Sequence, residues 1–361
     1  MNLSARLASL ILALALVAST PAAAVDYEVE TWSDGLSLPW SLAFLPDGSA
    51  LVTELGGTLR RLDAEGRAGA PLDNVPAVYF AGQGGLFDVL PHPQFEHNAL
   101  VYLSFAEGTP EDNGTAVARG RLVGWGLEDL QIIFRNFTRK DTPVHYGGRM
   151  AFLADGTLLL TTGDGFDYRE AAQDITSGLG KVLRMRDDGR PAAGNPFPQS
   201  PFVYAYGLRN PQGLAVDRSG TIWLHDHGPR GGDEVNIIEA GVNYGWPAIT
   251  YGIDYSGAVI SPYTELEGMA QPVRYWVPSI APSGLAVYEA DLFPAWKGDL
   301  FVGALVAQEV RRLEVAGQKV LHEEALFSEL AARIRDVRTG PDGALYVLTP
   351  DRVARVRPAA R

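Results

Sequence analysis

The chain of 361 residues contains no cysteine. Disulfides and thiolate metal sites are therefore excluded whatever the redox state of the compartment, and stability has to come from packing. Positive charge is scarce as well: 30 Lys and Arg stand against 43 Asp and Glu, for a net charge of −13. A surface of that sign repels nucleic acid and anionic lipid. Beyond the N-terminus no apolar run is long enough to span a bilayer. Extended helical patterns are missing too. Instead 40 Gly and 24 Pro break the chain into short apolar runs, the texture of many strands joined by turns.

Residues 1–24 combine Arg6, an apolar run from Leu7 to Val17 and the small-residue end Ala22-Ala23-Ala24. That is the layout of a cleaved secretory signal, with an apolar run too short for a membrane helix. The expectation is a signal peptide at 1–24, a periplasmic or secreted product, and a single domain over 25–361.

What is present in quantity is repetition. SLAFLPDGSALVT (41–53), GRMAFLADGTLLLTTGD (148–164), GLAVDRSGTIWLHD (213–226) and RDVRTGPDGALYVLT (335–349) each read strand, polar-Gly turn, strand. The turns Asp47-Gly48, Asp155-Gly156, Ser219-Gly220 and Asp342-Gly343 supply the positive φ that a tight hairpin requires. Two further copies, 85–105 and 284–305, carry longer connections. Six copies at this spacing predict an all-β, six-bladed β-propeller. A parallel β-helix needs a shorter, stricter period, and a sandwich has no reason to repeat one text six times.

If the copies superpose, residues just ahead of each first strand converge at one mouth of the central channel. Gln83, His145, Arg209, Asn210, Arg333 and Arg335 occupy such positions. Guanidinium groups gathered on an acidic chain suit an anionic ligand. Taken singly, His145 reads as well as a structural histidine, and each Arg as a loop or ion-pair residue. The loop HDHGPRGGDEVNIIEAGVNYGWP (225–247) is the other informative stretch. Its glycines allow inward-facing carbonyls and Asp233 and Glu234 add hard oxygens, which suits Ca²⁺, although an ordinary glycine-rich loop fits the same letters. His225 and His227 flank Asp226, but two histidines alone are not read as a zinc site.

The segments GQGGLFDVLPHPQF (82–95), HYGGRMAF (145–152), SGLGKVLRM (177–185), YGLRNPQGLA (206–215), HGPRGGDEVN (227–236), NYGWP (243–247) and RIRDVRTGPDGALYVLT (333–349) closely resemble the soluble sugar dehydrogenases that use pyrroloquinoline quinone (PQQ). The nearer branch resembles the bacterial aldose sugar dehydrogenases, the more distant one the soluble glucose dehydrogenases. The likeness runs in order over nearly all of the chain after the leader.

That resemblance implies a propeller with PQQ at one mouth and His145 as the proton acceptor. It implies PQQ contacts at Gln83, Arg209, Asn210, Tyr255, Arg333 and Arg335. The carbonyls of Gly228 and Pro229 are expected to hold a calcium that touches the cofactor, with Glu234 and the Tyr244 carbonyl on a second, structural calcium. Guanidinium groups then bind the three carboxylates of PQQ while Ca²⁺ polarises its quinone. Asp141, four residues before His145, is an open candidate for orienting the imidazole. Two departures stand out. Val306 and Gln308 occupy a stretch where the family often has a lysine, and Gly165 stands where the glucose branch has a glutamine. The expected partners are an aldose substrate and an external electron acceptor, with no nucleic acid and no membrane span, in a monomer or homodimer. A calcium-dependent lactonase and a non-enzymatic binding propeller are the competing readings, since the fold serves all three.

Overall fold

The structure is a computed structural model that describes residues 25–360; the expected leader at 1–24 lies outside the described residues. Twenty-four strands form six four-stranded antiparallel sheets. In chain order their inner strands are Pro39–Phe44, Leu86–Pro91, Met150–Phe152, Pro211–Val216, Pro282–Val287 and Asp336–Thr339. Each is followed outward by the next strands of its own sheet, and the six inner strands neighbour one another in a closed ring. The result is a six-bladed propeller, and the six strand-turn-strand copies are its inner hairpins.

The sequence reason for the ring is that each blade is apolar on both faces. Six separate hydrophobic clusters lie between consecutive blades. One packs Leu86, Val101 and Phe105 of the second blade on Leu45, Leu51 and Leu59 of the first, and the next packs Tyr102 and Val117 on Leu158 and Leu183 of the third. A sheet buried on both sides cannot stand alone, so the blades have to come round and meet. The last blade takes its outermost strand from the other end of the chain: Tyr27–Ser33 pairs antiparallel with Val353–Pro358. Trp32 then stacks edge-on against Tyr346 at 4.9 Å.

The axial channel is blocked by a buried ion network. Arg149, 1 % exposed, forms an ion pair with Asp336 at 3.0 Å and lies over the Trp40 ring at 4.0 Å. Arg338 ties Asp336 to Asp88 at 2.8 and 3.1 Å. Charges buried this deeply persist only when paired, as these are. Among the described residues no helix is long and apolar enough to cross a membrane.

Candidate active site

Because the inner hairpins are antiparallel, the end of each second strand returns to the start of the first. At one face of the ring the loops ahead of the first strands therefore meet the loops after the second strands. His145 precedes Met150–Phe152, and Leu158–Thr162 leads back to Asp164 beside it. The His145 Nδ1 lies 2.7 Å from Asp164 Oδ1, with both side chains almost fully buried. The other carboxylate oxygen accepts the Trp246 indole N–H at 2.8 Å, and the Phe166 backbone N–H donates to Oδ1 at 2.7 Å. With Trp246 and Phe166 fixing its carboxylate, Asp164 is placed to hold a proton on Nδ1. Burial, above all, pushes the His145 imidazole below its ordinary range, the Asp164 hydrogen bond opposing and Arg209 and Lys140 adding to the depression.

The backbone of His145 is equally constrained. Its φ is +53°, a left-handed conformation that a residue with a β-carbon adopts at a cost. Gln83 Oε1 accepts its N–H at 2.9 Å, and Asn210 Oδ1 accepts the N–H of Gly147 at 3.1 Å. Both amide side chains are thus brought to the site, with their oxygens engaged in fixing the histidine loop. The Arg209 and Asn210 N–H groups in turn donate to Asp226 at 2.7 and 2.6 Å. Burial raises Asp226 to about 7, those two N–H donors pulling the other way.

Arg209 reaches over this floor. Its guanidinium donates to the carbonyl oxygen of Gly228 at 2.9 Å and lies 5.4 Å and 5.8 Å from the rings of Trp246 and Tyr255. The Gly228 carbonyl therefore faces inward and already serves a cation. Arg335 enters the channel between the fourth and fifth blades, donating to Gln212 Oε1 at 2.9 Å and Ser283 Oγ at 3.2 Å. Burial lowers it to about 10, with Arg149 and Arg333 adding to the repulsion. Arg333 itself is exposed on the rim. His227, absent from the sequence-based set, is held well below its ordinary pKa by burial and by His225, Arg209, His145 and Arg335 around it. Among the described residues its Nε2 has no hydrogen-bond partner.

A cavity of about 240 Å³ opens above, lined by the rings of Phe166, Trp246 and Tyr255, by Pro229 and Ile260, and by Arg169 and Arg209 alongside Asp167 and Asp254. The Phe166 ring stands edge-on to the His145 imidazole at 5.2 Å and parallel to Tyr255 at 6.3 Å. Aromatic walls with Arg209 between them make a slot for a flat molecule beside a base.

Asp141 takes no part in orienting His145: its carboxylate accepts the Tyr168 hydroxyl at 2.7 Å, and Asp164 holds Nδ1 instead. Val306 and Gln308 are both exposed on the loop after Leu300–Ala304, so neither supplies the cation that a lysine there would bring. Glu234 is half-buried and accepts from Asn236 Nδ2 at 3.1 Å. Burial raises it to about 8, with Asp226 and Asp233 close enough to add. The Tyr244 hydroxyl donates to the Ile237 carbonyl at 2.6 Å inside the long connection after Asp233–Ile237. Asp233 accepts from Gly228, Ile280 and Ala281 N–H groups and from Ser279, fastening the Gly228-Pro229 loop to the next blade. Among the described residues no three His, Asp or Glu side chains cluster as a metal site.

Residues 36–357 match the family model described as Glucose / Sorbosone dehydrogenase. The aldose sugar dehydrogenase YliI of Escherichia coli K12 is 44% identical over 342 residues, covering 91% of this chain and 92% of that protein. A crystal structure of the soluble aldose sugar dehydrogenase from Escherichia coli in its apo-form superposes with a TM-score of 0.89 at 42% identity, over 92% of this chain and all of that one. The PQQ-bound aldose sugar dehydrogenase from Streptomyces coelicolor gives a TM-score of 0.78 at 32% identity, over 94% of this chain and 99% of that one.

Proposed function

The chain belongs to the Glucose / Sorbosone dehydrogenase family, and from that premise we propose that it oxidises aldoses at C1 to the lactone, with His145 as general base and calcium assisting PQQ. It is a PQQ-dependent sugar dehydrogenase. The observation that carries the mechanistic reading is the buried His145–Asp164 pair beside the converging Arg209 and Arg335.

The residues fit the cofactor chemically. The aromatic walls of the cavity suit a planar ring system, Arg209 and Arg335 supply charge for its carboxylates, and the unpartnered His227 Nε2 offers a further polar contact. Gln83, Arg209, Asn210, Tyr255, Arg333 and Arg335 would hold it. The inward Gly228 carbonyl, with Pro229 beside it, would hold the cofactor's calcium once the Arg209 guanidinium turns to a carboxylate. Glu234 and the Tyr244 carbonyl would hold a second calcium, and an acid raised to about 8 gains most from such a neighbour. When bound, PQQ supplies the ortho-quinone that accepts a hydride, and calcium makes its carbonyl carbon more electrophilic.

The protein's own part is proton management. Asp164 keeps the proton on Nδ1, which leaves Nε2 to accept the proton of the sugar's C1 hydroxyl as that carbon loses hydride. Burial keeps the imidazole neutral and therefore competent near pH 7. Phe166 packs edge-on against the base, and the exposed rings of Phe166 and Tyr255 would offer flat faces to a sugar ring. Export to the periplasm and an external electron acceptor complete the proposal.

The lactonase alternative needs axial carboxylates available for calcium. Here Asp88 and Asp336 are committed to Arg149 and Arg338. The test is to add PQQ and Ca²⁺ to purified apoprotein and follow aldose-dependent reduction of an artificial dye. Dye reduction that requires both additions is expected; ester hydrolysis without PQQ would select the lactonase.

A further inference from the structure

We propose that Lys140 is a positioning residue for the proton transfer, a buried cation beneath the Asp164–Gly165–Phe166 turn that locks this turn to the His145 loop and biases the imidazole toward its neutral form. The inference rests on His145 being the proton acceptor.

Lys140 is only 3 % exposed and lies in the connection between the second and third blades, where its backbone bridges to Asn113 at the start of Asn113–Val123. Its Nζ donates to Asn113 Oδ1 at 3.0 Å and to the Thr142 carbonyl, and sits 3.5 Å above the Tyr146 ring. The aliphatic stem runs directly under the turn that carries Asp164: a β-carbon on Gly165 would come within 2.7 Å of Lys140 Cδ. Thr142, whose carbonyl Lys140 holds, closes the same contact by donating from Oγ1 to the Gly165 carbonyl at 2.6 Å. The ammonium thus fastens residues 142–146, while the stem of Lys140 and the Thr142 hydroxyl join them to the 164–166 turn.

A lysine is expensive to bury unless its charge is used. Asn113 and Thr142 offer dipoles and Tyr146 a π face, but among the described residues no carboxylate pairs with the ammonium. The charges acting on Lys140 are those of Asp164, Arg139 and Asp141; those acting on His145 are Asp164, Arg209 and Lys140 itself. Burial lowers Lys140 to about 7. It therefore carries charge below that pH, the range in which His145 would protonate, and a positive neighbour disfavours imidazolium. The sign follows: removing the charge raises the pKa of His145.

The test compares wild type with Lys140→Gln, which removes the charge and keeps a terminal N–H donor on a shorter side chain, and with Lys140→Arg, which keeps the charge. In the PQQ-loaded enzyme the acid limb of kcat/KM should move up by roughly half a unit in the Gln variant, with KM for the aldose unchanged, and return in the Arg variant. Imidazole NMR of the full-length apoprotein should show the His145 midpoint moving the same way, a readout independent of whether the cofactor reading holds. A folded Gln variant in which neither midpoint moves would overturn the proposal. Should the variants not fold, the Lys140 Cε shift in wild type decides: an ammonium below pH 6 is expected, and an amine already neutral there is fatal to the idea.

Discussion

His145 is held from three sides: Asp164 fixes its ring, Gln83 fixes its backbone N–H and Phe166 packs on its edge. Each contact serves the neutral imidazole with Nε2 turned outward. His145→Ala should load with PQQ yet lose about 10²–10⁴ in kcat, the usual worth of a general base. Asp164→Asn puts an amide donor where an acceptor is needed and should cost a comparable factor through the wrong tautomer, with little change in KM. The pH sign is set by burial, which lowers the folded-state pKa of His145. The base is therefore lost only as pH falls below the ordinary histidine range, so the acid limb of kcat/KM should lie below about 6.5. An acid limb above 7 would contradict the assignment.

At the scale of the hairpin, Gly163 shows how tightly the parts are joined. A β-carbon there would lie 2.3 Å from the His145 carbonyl oxygen and 3.0 Å from Asn210 Oδ1. Gly163→Ala must push Asp164 away from the imidazole, and a displacement of about 1 Å can cost on the order of 10² in rate. The fold of this element was legible in the sequence, because Asp155-Gly156 and its counterparts announce the turns and the repeat announces the blade. Positions just ahead of the inner strands were legible too, which is how His145, Arg209 and Arg335 came out together. Asp164, Asp226 and Trp246 were not recognised. The first two required noticing that an antiparallel hairpin returns its second strand to the mouth where the first began, and Trp246 sits in a long connection whose path no periodicity describes. The proposed calcium sites use backbone carbonyls, which leave almost no mark in the letters. Their test is thermal: a chelator should lower the melting temperature of the native protein and added Ca²⁺ should restore it, since a ligand of the folded state alone stabilises it. Indifference to both would remove the structural-calcium assignment.

For the molecule as a whole, the ring is the device that makes one site out of six blades. His145, Arg209 and Arg335 precede inner strands of three different blades, so their convergence depends on closure. Closure depends on Tyr27–Ser33, where Trp32 packs on Phe44 and Tyr346 across the first and last blades. Trp32→Ala should destabilise by about 3–5 kcal/mol, as expected for a buried Trp. It should also weaken PQQ binding although Trp32 touches no part of the site; a loss of stability with unchanged cofactor affinity would show that the mouth forms without closure.

The account turns on the imidazole of His145 taking the sugar's proton within a PQQ site built from several blades. Anaerobic single-turnover absorbance measurements, with PQQ-loaded wild type and PQQ-loaded His145→Ala mixed with excess aldose, address it most directly. The prediction is equal cofactor stoichiometry in the two proteins and a cofactor reduction rate about 10²–10⁴ slower in the variant. Equal rates of reduction in both would contradict it.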